Sequence, residues 1–358
     1  MNIAFRVDSS LHIGSGHAMR CLTLAEALRR RSANCIFVAR PQTGDSLRAV
    51  EASGFEVRRL GEAPPPTQCG YAEWLGAPWQ NDAAQTIQAL ADRPAWDWLV
   101  VDHYGIDRRW ELVARAASHR LLVIDDLADR PHEADLLLDQ TLGRSPADYR
   151  HLVNAGCELH CGAAQALLRP EFAAWREASL ARRAAAPLEK IMVSLGGTDR
   201  DNLTRRVLLA LNDCARPCRV VVVLGAASPW IADIRTLVSC IDILVDVCVG
   251  VDNIAEIMAA SDLAIGAAGS SAWERCCLGL PSLMVVLAEN QQKVADELLR
   301  TGAARLLPAS DGLESALAAG IAALAASPQA LHDMSRCAAA LVPHGGTDAL
   351  ADRMMEAN

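Results

Sequence analysis

A histidine near the start of the chain has the sequence context of a general base. The segment RVDSSLHIGSGH, residues 6–17, leads from an apolar strand through a glycine-containing turn to His17 in the first turn of a helix. A helix start exposes unpaired N–H groups and a partial positive charge, so it attracts anions and disfavours a protonated imidazole. The spacing therefore predicts that His17 is a neutral general base. Asp8 precedes the same turn and either orients His17 or acts as a structural cap.

Three glycine turns each follow a predicted strand and open a predicted helix. They contain Gly14 and Gly16, then Gly196 and Gly197, then the segment 266–271 with Ser270 and Ser271. Ligands of open α/β sheets bind at the carboxyl ends of the strands, where such turns gather. Together the turns indicate a phosphate-bearing ligand, although glycine in any single turn is equally explained by a tight connection.

The turns do not match the common cofactor motifs. Met19 occupies the third glycine position of a dinucleotide fingerprint, and no Walker lysine follows a glycine run. Asp125 and Asp126 have no evident third metal ligand, so we favour capping roles for them. We expect neither a cofactor nor a metal.

Further polar residues follow the predicted strands. Glu274 lies in the first turns of the helix behind Ser271, where a carboxylate could accept hydrogen bonds from both ribose hydroxyls. On spacing alone we favour a simpler role, that of an acid stabilised by the helix dipole. Tyr104 follows another strand and could pack on or hydrogen-bond a sugar, and the neighbouring His103 could equally be a packed loop residue.

The composition limits the class of protein. The chain has 358 residues, of which 51% are hydrophobic and 22% charged, and its formal net charge is -9. This charge argues against a nucleic-acid partner, and no apolar run is long enough to span a membrane. The 12 cysteines form no metal-binding pattern and are expected to be reduced, in a cytoplasmic protein whose oligomeric state the sequence does not indicate.

Short β-branched runs alternate with helical patterns along the chain, which is typical of parallel α/β layers. The predicted fold has two Rossmann-like, doubly wound domains that face a cleft. We expect an N-terminal domain at 1–168 with the catalytic histidine, a connection at 169–188, a ligand-binding domain at 189–340 and a C-terminal helix at 341–358. The strands are predicted at residues 2–7, 35–39, 56–60, 98–102, 121–125, 136–139, 190–195, 219–224, 243–247, 263–266 and 282–287. Residues 63–79, with three consecutive prolines and two tryptophans, predict a long functional loop at the cleft.

Several of these motifs, taken in order, resemble the UDP-2,4-diacetamido-2,4,6-trideoxy-β-L-altropyranose hydrolases of pseudaminic acid biosynthesis. The matching segments are FRVDSS with GSGH at 5–17, VDHYG at 101–105, CELHCG at 157–162, LRPEF at 168–172, VSLGGTD at 193–199, SSAWE at 270–274 and ENQ at 289–291. The resemblance covers most of the chain up to about residue 299 and weakens after residue 306.

The resemblance implies a glycosyltransferase-B architecture and hydrolysis of the UDP-sugar to UDP and free sugar. It implies that His17 is the catalytic base, that Glu274 contacts the ribose of UDP and that Arg169 binds substrate. It also places Tyr104 and Asn290 beside the sugar. We expect metal-independent C–O cleavage with inversion of the anomeric carbon, and a small-molecule UDP-sugar as the partner.

Three other functions stay open on the sequence. A glycosyltransferase of the same architecture would use a sugar acceptor instead of water, because one fold hosts many functions. A UDP-sugar 2-epimerase would eliminate UDP, and a non-catalytic protein would only bind the nucleotide sugar. His17 in its glycine turn argues against the last of these.

Overall fold

The computed structural model describes residues 1–62, 70–184, 187–196, 199, 201–214 and 218–356, and for Asn290 it describes the backbone only. The chain forms two compact units. The first comprises residues 1–167 together with 345–358, and the second comprises residues 168–344.

The first unit is built on a sheet of seven parallel strands in the order β3-β2-β1-β4-β5-β6-β7. Its strands are β1 (Asn2–Val7), β2 (Asn34–Ala39), β3 (Glu56–Arg59), β4 (Trp96–Asp102), β5 (Ser118–Ile124), β6 (Leu136–Asp139) and β7 (Glu158–Cys161). Its helices before the second unit are α1 (Gly16–Arg30), α2 (Leu47–Ala52), α3 (Trp79–Ala89), α4 (Arg108–Ala114) and α5 (Pro146–Tyr149), with 3-10 helices at Tyr71–Leu75, Arg115–Ala117 and Ala163–Gln165.

The central strand β1 is buried on both faces. Ile3 and Phe5 pack with Leu24 of α1 in one hydrophobic cluster, whereas Ala4 packs with Trp96 in another. Strands covered on both sides read as continuous apolar runs, which explains why the sequence pattern locates β1 so well.

The second unit contains six parallel strands in the order β10-β9-β8-β11-β12-β13. They are β8 (Lys190–Ser194), β9 (Arg219–Leu224), β10 (Val245–Val249), β11 (Leu263–Ala267), β12 (Ser282–Val285) and β13 (Ala304–Leu307). Its helices are α6 (Pro170–Arg183), α7 (Leu203–Asn212), α8 (Ile231–Val238), α9 (Ile254–Ala259), α10 (Ser271–Cys277), α11 (Gln292–Arg300), α12 (Leu313–Ala326) and α13 (Pro328–Leu341), with a 3-10 helix at Glu289–Gln291. The last helix of the chain, α14 (Gly346–Glu356), belongs to the first unit and packs against α1.

The two parallel α/β domains are confirmed, but several segment boundaries differ from the predicted ones. The sequence predicts a connection at 169–188, whereas α6 is part of the second unit, where Ser179 donates a hydrogen bond to the Leu278 carbonyl. Strands β7 and β13 were not predicted. Both are short edge strands, and β7 in particular is only half-buried, so neither shows a strong apolar run.

Within the described residues, no helix combines the length and apolar character that a membrane span requires.

Candidate functional site

Each sheet has a point where the strand order reverses, and the candidate residues lie at these points. In the first sheet β1 and β4 are hydrogen-bonded neighbours, and the register pairs Val7 with Asp102. In the second sheet β8 pairs with β11 in the same way, with Ser194 opposite Gly266. Ligands of open α/β sheets bind beyond the carboxyl ends of the strands at such switch points.

The turn after β1 is built to start a helix close to the strand end. The Ser10 hydroxyl accepts hydrogen bonds from the backbone N–H groups of His12 and Ile13, at 3.2 and 3.1 Å. Gly14 has φ +81°, a left-handed conformation that favours glycine. Helix α1 then begins at Gly16, which places His17 in its first turn as the sequence predicts.

His17 is held by a carboxylate from the neighbouring strand. Its Nδ1 lies 2.6 Å from Oδ1 of Asp102, the last residue of β4. Because an ionised carboxylate only accepts hydrogen bonds, this contact places the proton of a neutral imidazole on Nδ1 and leaves the Nε2 lone pair available. The His17 side chain keeps 10% of its surface exposed, and no hydrogen bond within the described part of the chain reaches Nε2.

Arg20, one turn further along α1, keeps Asp102 ionised. It donates to both carboxylate oxygens, through Nε at 2.6 Å and Nη2 at 2.8 Å. Burial by itself would raise the pKa of Asp102, but the charge of Arg20 and the hydrogen bonds from Arg20 and His17 hold that pKa well below its usual range. The same arrangement, a buried carboxylate that orients a histidine, serves general bases in hydrolytic enzymes.

An aromatic cluster adjoins His17. The ring of Tyr104 lies edge-on to the imidazole with centroids 4.6 Å apart, and Trp74 lies edge-on at 6.2 Å. The Tyr104 hydroxyl donates to Asp126 at 2.7 Å, and Asp126 also accepts from Arg20 at 2.7 Å. Tyr104 therefore presents its ring beside His17, while its hydroxyl is already engaged.

Asp8, considered above either as a partner of His17 or as a structural cap, makes other contacts. Its carboxylate pairs with Arg6 at 2.6 Å, accepts from the Arg40 backbone N–H at 2.7 Å and lies 3.4 Å from Nε2 of His103, and within the described residues no hydrogen bond or ion pair joins it to His17. Asp8 and Arg6 are fully buried and belong to a separate ion cluster with Asp82. Sequence proximity suggested Asp8, but the carboxylate that contacts His17 comes from β4, the strand next to β1 in the sheet.

The adjacent residues Asp125 and Asp126 make different kinds of contact. Asp125 accepts hydrogen bonds from the backbone N–H groups of Leu127 and Ala128, which agrees with its expected capping role. Asp126 instead pairs with Arg20 and Tyr104. In the part of the chain that the structure describes, no group of three or more potential metal-ligating side chains is found.

In the second unit, Glu274 occupies the first turn of α10 and contacts Arg169. Their closest atoms, Oε1 and Nη2, are 3.5 Å apart, and Arg169 also pairs with Glu171 at 3.1 Å. Burial raises the pKa of Glu274, and the Arg169 charge opposes that shift. About a quarter of the Glu274 side chain remains exposed, so its carboxylate can receive a ligand.

The loop before α10 is shaped by an arginine that the sequence did not point to. The buried Arg275 donates to the Ala267 carbonyl at 2.6 Å and to the Ser271 hydroxyl at 3.0 Å. A Cβ on Gly266 would stand 2.8 Å from Nη1 of Arg275 and 3.0 Å from the Ser194 carbonyl. Only glycine fits there, and the loop is thereby held against the end of β8.

Three more of the predicted residues lie after strands of the second sheet. Gly196 follows β8 with φ +95°, and Ser270 precedes the first residue of α10. Asn290 lies in the 3-10 helix Glu289–Gln291 after β12. Gly197 lies outside the described residues.

Comparisons with known proteins agree with this architecture. The profile of the glycosyltransferase family 28 C-terminal domain matches residues 192–347. The chain is 25% identical over 306 residues to the UDP-2,4-diacetamido-2,4,6-trideoxy-beta-L-altropyranose hydrolase of Campylobacter jejuni, covering 84% of this chain and 97% of that protein. An uncharacterised Methanocaldococcus jannaschii protein is 25% identical over 304 residues, and the alignment spans 84% of this chain but only 58% of that protein.

Among solved structures, Acinetobacter baumannii MurG superposes with a TM-score of 0.72 at 16% identity, over 99% of both chains. The fold is therefore that of the glycosyltransferase-B proteins, and the sequence similarity extends over most of the chain to a UDP-sugar hydrolase.

Proposed function

We propose that this protein hydrolyses a UDP-linked 2,4-diacetamido-2,4,6-trideoxy sugar to UDP and the free sugar. One observation carries the proposal. His17 is locked by Asp102 in the tautomer that leaves Nε2 free to accept a proton, at the switch point of a parallel sheet. Similarity to the Campylobacter jejuni hydrolase along 84% of the chain supports the substrate class.

In the proposed reaction, a water molecule attacks the anomeric carbon as Nε2 of His17 takes one of its protons. The new C–O bond forms as the bond from C1 to the diphosphate oxygen breaks, and UDP leaves with that electron pair. Attack opposite the leaving group inverts C1. The ionised Asp102 stabilises the imidazolium that forms, and Arg20 keeps Asp102 from taking the proton itself.

We assign UDP binding to the second unit. Gly196 after β8 and the turn that joins β11 to α10 would offer backbone N–H groups to a diphosphate. Glu274 in the first turn of α10 would accept hydrogen bonds from the ribose hydroxyls, and Arg169, which already contacts Glu274, would bind substrate. This geometry leads us to prefer ribose binding over a purely helix-stabilising role for Glu274.

A second candidate function is glycosyl transfer, which the match to the family 28 C-terminal domain favours. The two functions differ only in whether water or a sugar hydroxyl attacks C1. Purified protein incubated with several UDP-linked diacetamido sugars and no acceptor distinguishes them by mass spectrometry. We expect UDP and reducing sugar in equal amounts from the 2,4,6-trideoxy substrate.

The same assay tests the remaining alternatives. UDP release that requires an added acceptor would establish a transferase and overturn the proposal. Solvent deuterium incorporated at C2 of the sugar would indicate a 2-epimerase. Saturable UDP binding without any product would indicate a binding protein.

A further inference from the structure

Three aromatic side chains line one side of His17. Tyr71 and Trp74 lie on the 3-10 helix Tyr71–Leu75, and Tyr104 follows β4. Trp74 stacks on Tyr104 with centroids 5.6 Å apart and planes inclined by 21°, and Tyr71 lies edge-on to both, at 4.8 and 5.1 Å. Tyr104 is buried, with 5% of its surface exposed, whereas Trp74 and Tyr71 are partly exposed, so a ligand would reach this aromatic wall through Trp74 and Tyr71.

The backbone that carries the wall is fixed to the strand ends. Arg40, which is buried, donates from Nε to the Leu75 carbonyl at 2.9 Å, and Gln42 donates to the Trp74 carbonyl at 2.9 Å. The Tyr71 carbonyl lies so close to Gly105 that a Cβ on that glycine would stand 2.6 Å from it. The rings are thus held in place before any ligand binds.

The position of the wall limits which part of a substrate it can contact. A sugar whose C1 reacts with water activated by His17 lies within a few ångströms of the imidazole, and the Tyr104 and Trp74 centroids are 4.6 and 6.2 Å from that ring. The groups adjacent to C1 along the pyranose ring are C2, with its acetamido group, and the ring oxygen with C5 and C6. The acetamido group needs polar partners, whereas the Tyr104 hydroxyl is already bound to Asp126.

We propose that the wall formed by Tyr71, Trp74 and Tyr104 contacts the C5–C6 edge of the sugar and selects a C6 methyl group over a hydroxymethyl group. The inference rests on the proposed function and names the residues that set its substrate class. A methyl group against aromatic rings buries apolar surface, whereas a C6 hydroxyl there loses its hydrogen bonds to water. An apolar pocket discriminates against an added hydroxyl by about 100-fold at most, so we expect a preference within that limit.

The test compares two UDP-linked 2-acetamido sugars that differ only at C6: UDP-N-acetylglucosamine and its 6-deoxy counterpart. Dissociation constants are measured by calorimetry in the His17→Ala background, which removes turnover, with UDP alone as a reference. We expect Trp74→Leu to reduce the preference for the 6-deoxy sugar about tenfold and to leave UDP binding unchanged. Trp74→Phe should retain most of the preference, and Trp175→Leu, at an exposed tryptophan of the second unit, should retain all of it.

Tyr71→Leu is the second wall variant, with a smaller expected loss of preference in the same direction. Equal binding of both sugars by the parent protein, or an unchanged preference in both wall variants, would overturn this inference and leave the proposed function intact. If neither the wild-type protein nor the His17→Ala protein, which is the parent of the wall variants, binds UDP or either sugar nucleotide, both the proposed function and this inference are overturned.

Discussion

Two histidines of the first unit make almost the same contact with a carboxylate and differ in what surrounds the other ring nitrogen. His17 Nδ1 lies 2.6 Å from Asp102, and His132 Nδ1 lies 2.7 Å from Glu111. The His132 side chain is completely buried, and its Nε2 has no hydrogen-bond partner among the described residues. The His17 side chain is partly exposed at the end of a glycine turn and beside an accessible aromatic wall.

The comparison shows that a short histidine–carboxylate distance does not identify a general base. The buried His132 ring lies between two carboxylates, since its Nε2 is 3.8 Å from Oδ2 of Asp125, whereas the partly exposed His17 pairs with one carboxylate among the described residues. Glu111 of α4 also accepts the Glu133 backbone N–H at 2.6 Å, so the His132 pair ties the loop at residues 132–133 to α4. The His132 pair is therefore an internal control for the His17 pair.

The largest effect is expected for removal of the proposed base. General-base catalysis contributes typically 10²- to 10⁴-fold, so His17→Ala should lower kcat by about 10³-fold in a UDP-release assay. UDP affinity, measured by calorimetry, should stay within about twofold of wild type, because we assign UDP to the second unit. Turnover at the wild-type rate would reject His17 as the base.

The variant Asp102→Asn tests whether the charge of Asp102 is needed in addition to its contact with His17. The asparagine cannot hold the imidazolium electrostatically and can stabilise the wrong tautomer, so we expect kcat to fall about 10²-fold or more with little change in KM. The matched control is Glu111→Gln, which alters the His132 pair. It should lower the urea midpoint of unfolding and leave kcat of the folded enzyme within about twofold of wild type. Equal kcat losses in both variants would remove the distinction between the pairs.

Glu274→Ala should produce a smaller effect that falls mainly on binding. Loss of hydrogen bonds to the ribose, worth about 0.5–1.5 kcal/mol each, predicts a roughly tenfold weaker UDP affinity with kcat little changed. Glu297→Ala changes a half-buried glutamate that pairs with Arg300 in α11, and it should have no effect on UDP binding. Unchanged UDP affinity in Glu274→Ala would leave only a helix-stabilising role for this residue.

The smallest effect is expected for the dependence of folding stability on acid pH. Despite burial, the pKa values of Asp102 and Asp8 lie below the usual range, because Arg20 and Arg6 pair with them. A lowered pKa means that their stabilising contribution is present above the ordinary aspartate value of about 3.9 and is lost as the pH falls below it. Urea midpoints should therefore be similar at pH 7 and pH 5 and drop toward pH 3. Asp102→Asn should show a shallower drop, and an identical profile would contradict the ionised state assigned to Asp102.

The sequence predicts most of the fold because the central strands are buried on both faces and appear as unbroken apolar runs. It predicts His17 because the glycine turn and the helix start are contiguous in the chain. It misses Asp102 as the partner of His17, because the two residues are 85 positions apart in the chain. Their contact depends on β4 lying next to β1 in the sheet. A signal was available, because Asp102 ends an apolar strand, but choosing it over Asp8 requires the strand order.

Arg275 and the aromatic wall are two further features that the sequence does not predict, because both depend on contacts between separate segments of the chain. A basic residue one position after Glu274 gives no hint that its guanidinium is buried against Gly266 and Ser271. Trp74 lies in the segment 63–79, for which the composition predicts a long functional loop but no contact with His17. Its position beside His17 follows from backbone hydrogen bonds to Arg40 and Gln42 side chains.

The most direct measurement of the central claim follows the oxygen atom under single-turnover conditions. Wild-type protein in excess over the UDP-linked 2,4,6-trideoxy sugar is incubated in water enriched in oxygen-18, without an acceptor, and both products are analysed by mass spectrometry. If water activated by His17 attacks C1, one oxygen-18 appears in the C1 hydroxyl of the first-formed sugar and none in UDP. Label in the UDP phosphate, or no product without an acceptor, would contradict the account.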